Sequence, residues 1–566
     1  MRFTRRSLLP LGVLAGSVLS QETVVGLTRD TAPPGQPFNF DVNTGANLQA
    51  ATSNQPATSV EFTTQGGSPY THPYDYQRIG DDGPLLLQDA RMIETLAHFV
   101  RERIPERVVH AKGAGAHGYL EVTNADFVKQ YSDLDVFSEN GLKTPITVRF
   151  STVGGEAGSA DSARDPRGFA IKLRTRKGIL DWVFNNTPVF FLRDPTKFPH
   201  FIHTQKRNPE THLRDPDLFW DYLSSNPESL YQVMRLFSDL GTPYGFRHMN
   251  GWSGHTYRWV KADGSWVYVK IYAETMQGIQ NFTNADATAL QGENPDFATQ
   301  DLFQSIENKE FPGWTLYAQV LTPAQAQTFK YNVLDLTKDW GFDDVNRTEI
   351  GRFYLTENPK NYFAEIEQAA FTPGNTVPGW AISADPVLQA RVFSYGDAHR
   401  YRIGVNNRQI PVNAPTVPVA NFERDGAMNI NGNQGSRPNY LSTIEEIKLP
   451  AQAFVDDLHQ QWTGGAVRAL SQVTAIDFDW PQRFWKGLSA QDQKNLISNI
   501  VGHLGGAKST SVKQRQVALF ALVDKSFGQG VASGINVSVP TDLPNFPNGP
   551  TWFNTTKSTT KSTLNY

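Results

Sequence analysis

From about residue 110 to about residue 350, apolar residues recur in short runs that alternate with polar ones at every second position. In Thr144 to Val153, Ile146, Val148 and Phe150 fall on one strand face, and Thr147, Arg149 and Ser151 on the other. Trp266 to Ala273 and Trp314 to Leu321 are similar strands, rich in aromatic and β-branched residues. Helical patterns interrupt them around Asp217 to Leu223 and Asp301 to Ile306. The mixture predicts an α+β domain built on a sheet or barrel.

The flanks differ. Residues 21 to 88 are rich in Thr, Gln, Asn, Pro and Gly, and predict an extended arm without its own core. Residues 356 to 472 are largely irregular, as expected of a segment that wraps over something else. Within that segment, Asp385 as cap and Pro386 at the first position mark a helix start. Two more helices are predicted further on. Ser489 caps the first, with Asp492 as capping-box partner, a stripe of Leu496, Ile497, Ile500, Val501 and Leu504, and Gly505 at the end. Val512 to Phe527 forms the second, and after residue 533 the composition becomes that of a tail.

The 566 residues hold 12% aromatics and 39% hydrophobics, enough for a large core. A net charge of −4 gives no reason to expect nucleic acid or an acidic membrane surface as partner. With no cysteine, disulfides, zinc–thiolate sites and a thiolate nucleophile are excluded. Arg2, Arg5 and Arg6 precede an apolar run from Leu8 to Leu19, which reads as an export signal over residues 1–20, of either secretory or twin-arginine type. A secreted or periplasmic protein is therefore expected, with no membrane anchor once mature. Sequons at Asn281, Asn346, Asn536 and Asn554 would permit glycosylation, and Leu564-Asn565-Tyr566 is not a peroxisomal address.

Three stretches combine ionisable and aromatic residues. In Arg103-Ile104-Pro105-Glu106-Arg107-Val108-Val109-His110-Ala111-Lys112-Gly113, apolar neighbours favour a neutral His110 that can accept and return a proton; alone, a His beside valines is more often a satisfied core residue. Asn185 lies among Phe184, Phe190, Phe191 and Phe198, as an amide donor in a dry pocket or as part of a plain turn before Pro188. In Arg391-Val392-Phe393-Ser394-Tyr395, Arg391 and Tyr395 share a helix face, either as packing or as a guanidinium favouring a phenolate metal ligand.

Together, from about Thr64 to about Phe527, these motifs and their order resemble the monofunctional haem catalase family, of the small-subunit type. The resemblance implies a haem catalase fold: an antiparallel β-barrel haem domain (89–355), a wrapping segment carrying the proximal helix (356–472), a C-terminal helical domain (473–533) and a tail (534–566). It implies disproportionation of hydrogen peroxide by haem, of b type or modified, in a homotetramer with N-terminal arms threaded between subunits. His110 is then the distal base, Asn185 the distal amide and Tyr395 the iron ligand, the ligation that distinguishes catalases among haem proteins. Ser151 would bond His110 and Arg391 would hold Tyr395 as phenolate. Arg107, Arg149 and Arg402 would bind the haem propionates. Val109, Phe190 and Phe198 would pack near the haem face, with Val153 and Asp181 on the peroxide channel. In a strict strand Arg107 and His110 face opposite ways, so the chain must be irregular there. Val100, Gly396 and Ala398 depart from the family's usual Asp, Pro and Thr. Leu240, Glu274 and Phe342 stand where NADPH-binding relatives carry cations or His, so no tightly bound NADPH is expected. Two other readings fit the same residues: a catalase-like haem peroxidase acting on organic hydroperoxides or phenols, and a haem-binding protein without activity.

Overall fold

The computed structural model describes residues 60–450 and 468–547; the stretch read as an export signal and most of the tail lie outside them. Ten strands form one antiparallel sheet: β1 (Gly113–Val122), β2 (Lys143–Thr152), β3 (Arg167–Thr175), β4 (Gly178–Asn185), β5 (Gly251–Trp252), β6 (Tyr257–Val260), β7 (Trp266–Thr275), β8 (Gly313–Leu321), β9 (Arg347–Glu357) and β10 (Trp380–Ile382). The order β7-β5-β4-β3-β2-β1-β9-β8 returns to β7, so eight strands close a barrel, and β6 and β10 extend from β7. Closure removes free edges and leaves a sheet with an inside and an outside.

The interior is filled with side chains. Ile146, Val148 and Phe150 of β2 point in, as do Phe169, Ile171 and Leu173 of β3 and Leu180, Trp182 and Phe184 of β4. Phe150 meets the edge of Phe169 at 4.8 Å and stacks on Phe246 at 5.4 Å, an arrangement suited to the ring quadrupoles. The alternation expected of residues 144 to 153 is thus the alternation of the barrel wall.

A second core gathers helices Lys197–Gln205, Pro216–Ser225 and Leu230–Phe237 with C-terminal helices Ala490–Leu504, Thr510–Val523 and Lys525–Gly534. Ser489 caps the first C-terminal helix, accepting from Asp492 N at 3.1 Å. The predicted helix Val512 to Phe527 is in fact two. Asp524 adopts an extended φ of −157° and caps the next helix by accepting from Ser526 N at 2.8 Å, so the apolar stripe runs on across a break. Buried Arg193 donates to Asp335 at 3.1 Å and Asp477 at 2.6 Å, and Lys338 reaches Asp477 at 2.5 Å, tying the C-terminal region to the barrel side.

The helix Ala90–Phe99 has no buried residue; Leu96 is 62% and Phe99 67% exposed. No helix among the described residues is long and apolar enough to cross a membrane.

Candidate active site

Since the barrel interior takes every second residue of β1–β4, the others form rows on its outer face. Cross-strand register aligns Gly113, Ser151, Gly168 and Asn185 in a first row. The second is Gly115, Arg149, Ala170 and Val183, and the third His117, Thr147, Lys172 and Asp181.

His110 lies over the first row. Its Nδ1 is 2.9 Å from Ser151 Oγ, and its backbone N–H donates to Val153 O at 3.2 Å. The chain is irregular here, as the conflict of strand faces required. His110 has φ +64°, in the left-handed region that costs a non-glycine residue energy. Arg149 holds that turn by donating to His110 O at 2.9 Å and Ala111 O at 3.2 Å. Burial lowers the His110 pKa to about 3, with help from Arg149, Arg391, Arg107 and Lys206, so the imidazole is neutral at ordinary pH. Val109, Phe190 and Phe198 join the second core beside it, with the two Phe rings 6.2 Å apart.

Tyr395 projects from the helix Pro386–Ile403, whose cap Asp385 accepts from Val387 N at 2.9 Å and Leu388 N at 3.2 Å. Buried His255 braces that carboxylate at 2.6 Å. One turn before Tyr395, Arg391 donates to the Tyr395 oxygen at 2.9 Å and to Val183 O at 3.0 Å. The Tyr395 ring packs against a buried cluster of Val183, from the second row, with Ala369, Phe371 and Val412. Burial pulls the Arg391 pKa down, but the phenols of Tyr395 and Tyr257 and the Asp385 carboxylate hold it above its usual value, so it stays cationic.

Arg107 and Arg402 converge from either side on the turn 366–369. Arg107 donates to Ile366 O, Glu367 O and Ala369 O at 2.9–3.2 Å, and Arg402 to Glu367 O at 2.7 Å and Ala369 O at 3.1 Å. Burial depresses both pKa values, and mutual repulsion within the Arg107–Arg149–Arg402 group adds to it. The nearest carboxylate, Glu367, stands 3.5 Å from Arg107 and 3.8 Å from Arg402. The Nε atoms of Arg149 and Arg402 are buried without a partner. Three guanidiniums around one carboxylate, two with an orphaned donor, fit an anionic group with more than one carboxylate, as haem is.

One expectation fails. Asp181 is no channel residue: it is 0% exposed in the third row, paired with Lys172 at 2.8 Å and accepting from Thr372 N at 3.0 Å and Asn375 at 2.8 Å. The carboxylate beside Val153 is Asp165, which accepts from Val153 N at 2.5 Å and Gly154 N at 2.6 Å, its pKa raised by burial. Lys206 donates to Gly154 O at 3.1 Å alongside. Neither was singled out from sequence; the signal was their distance in space from Val153, which only the fold supplies.

Residues 63–446 match the family described as Catalase, and residues 474–535 one described as Catalase-related immune-responsive. The chain belongs to the catalase family. Among catalases, it is 52% identical to the catalase of Schizosaccharomyces pombe over 482 residues, 84% of this chain and 93% of that one. It is equally identical to the peroxisomal catalase of Candida albicans over 474 residues, 83% and 97% of the two chains. The solved structure of catalase A from Saccharomyces cerevisiae superposes with a TM-score of 0.82 at 48% identity, covering 84% of this chain and 99% of that one. These names overturn the expectation of export. Several further fungal catalases among the relatives are also named peroxisomal, which points away from secretion. A few arginines before a short apolar run are a low-information pattern, and misled here.

Proposed function

We propose that this chain disproportionates hydrogen peroxide to water and oxygen with haem b held between Tyr395 and the His110–Asn185 side. The observation that carries this reading is the first row: a neutral imidazole braced by Ser151, with only Gly168 of β3 between that serine and the Asn185 amide. Redox chemistry is what a bound haem supplies, and the chain supplies binding, orientation and proton transfer. Ser151 engages Nδ1 of His110 and leaves Nε2 for substrate. That nitrogen can take a proton from one peroxide oxygen and return it to the other so that water can leave, while the two-electron reduction of one peroxide and the matching oxidation of a second to oxygen would fall to the haem. Asn185 orients the peroxide so that the transfer is short and aligned. Opposite, Arg391 favours the phenolate of Tyr395 as iron ligand, and Arg107, Arg149 and Arg402 hold the carboxylates. Val153 lines the approach.

We also read a homotetramer, supported by the apolar residues that helix Ala90–Phe99 leaves uncovered and by Phe393 (77%) and Tyr401 (80%) exposed on the Tyr395 helix. A peroxisomal location follows the names of the fungal relatives. Tightly bound NADPH is not expected: Phe342 stacks on Trp252 at 5.7 Å, and Glu274 already pairs with Arg347 at 3.1 Å.

An absorption spectrum of purified protein, taken with an oxygen-electrode trace on adding peroxide, tests the main reading. A Soret band and brisk oxygen release are expected. A haem-loaded protein that oxidises phenols or organic hydroperoxides but releases no oxygen would refute it.

A further inference from the structure

Gly168 stands in the middle of the first row, between Ser151 on one side and Asn185 on the other. A glycine inside a strand loses stability relative to alanine, so its presence there asks for a reason. Backbone conformation is not the reason, because its φ lies outside the left-handed region. Close approach is. A Cβ at this position would lie 2.6 Å from His110 Nδ1 and 2.9 Å from His110 Cε1, and closer still to Ser151 Oγ.

Two glycines of β1 on the same outer face give a contrast. A Cβ on Gly113 or Gly115 would strike a main-chain oxygen of the neighbouring strand, Phe150 O or Val148 O, and so disturb the sheet itself. At Gly168 all three nearest atoms belong to side chains of His110 and Ser151. The barrel core lies on the opposite face, where Phe169 points.

We propose that Gly168 is a positioning residue for peroxide turnover: its bare backbone is the seat against which the His110 imidazole and the Ser151 hydroxyl are set. The inference rests on the reading of His110 as the proton carrier. A methyl group on the seat displaces both side chains. Ser151 rotates away, which breaks its bond to Nδ1, and the imidazole recedes by about 1 Å to reach ordinary contact distance. The retreat moves Nε2 relative to Asn185, and a displacement of that size costs up to about a hundredfold in rate.

The test is Gly168→Ala in the haem-loaded protein, with Ser151→Ala and the double variant beside it. Crystal structures of parent and variant read the place of the imidazole directly, whether or not oxygen is released. The expected result is a displaced His110 or a rotated Ser151 with haem content retained and melting temperature within about 2 °C of the parent. Oxygen release should fall by about ten- to a hundredfold. Association of cyanide, whose acid form gives up a proton on binding, should slow by a comparable factor, which a merely structural role would not cause. The double variant should be no slower than Gly168→Ala alone, since the Ser151 bond is already lost. An unmoved His110–Ser151 pair with parental cyanide kinetics would overturn the proposal. So would a loss of activity that only follows loss of haem or of fold. Failure of the wider reading appears instead in the parent, as absent oxygen release.

Discussion

Inside the barrel, β2, β3 and β4 present Phe150, Phe169 and Phe184; directly beside each along the chain, Ser151, Gly168 and Asn185 face outward. The inner residues are large, apolar and packed ring on ring, whereas the outer ones are small or polar and leave room. Neighbours in sequence thus serve different ends, the inner set holding the wall in shape and the outer set using that shape. The third outer row complicates this division, because Lys172 and Asp181 face out yet are sealed as a buried pair. Outward orientation permits chemistry, and what covers each row decides whether it occurs.

The sharpest way to probe this contrast is at consecutive positions. Phe150→Ala removes a ring from the filled interior and should lower stability by about 3–5 kcal/mol, read by denaturant unfolding. An equally folded variant that merely turns over slowly would break the division. Asp181→Asn leaves Lys172 buried without its anion and should cost about 3 kcal/mol with peroxide turnover per folded molecule unchanged; a selective loss of turnover would return Asp181 to the functional set. Ser151→Ala should leave unfolding within about 1 kcal/mol of the parent, the net worth of one hydrogen bond, while oxygen release falls about tenfold. The smallest effect concerns pH. With the His110 pKa lowered to about 3, its neutral form is favoured in the fold. The base is therefore ready above that value and is lost only as pH falls toward it, so turnover should be flat between about pH 5 and pH 8. An inflection near the ordinary histidine value of about 6.5 in the pH–rate profile would contradict the burial argument.

How much of this was readable in the chain differs between the two faces. The two-residue period of 144 to 153 already separated Phe150 from Ser151, and Asp385-Pro386 announced the helix that carries Arg391 and Tyr395. The conflict between Arg107 and His110 even foretold the irregular backbone between them. Gly168 and Asp165 were invisible because their roles come from register and from the segment laid over them, neither of which leaves a local mark. Asp181 was misplaced for the same reason. Its own strand says only that it faces out, while Lys172 across the ladder and Thr372, nearly two hundred residues later, determine what it does. The break at Asp524 was hidden because the apolar stripe continues through it.

The turn at His110 carries one more implication. Arg149 grips the carbonyls of residues 110 and 111 with its two terminal nitrogens and keeps its third, Nε, unspent and buried. Whatever anion satisfies that last nitrogen pulls on the same guanidinium that fixes the imidazole's backbone. Were that anion the haem of the proposed reading, its binding and the placing of the His110 backbone would share one guanidinium, and binding free energies coupled in this way act reciprocally. A substitution at Arg149 itself should therefore loosen both.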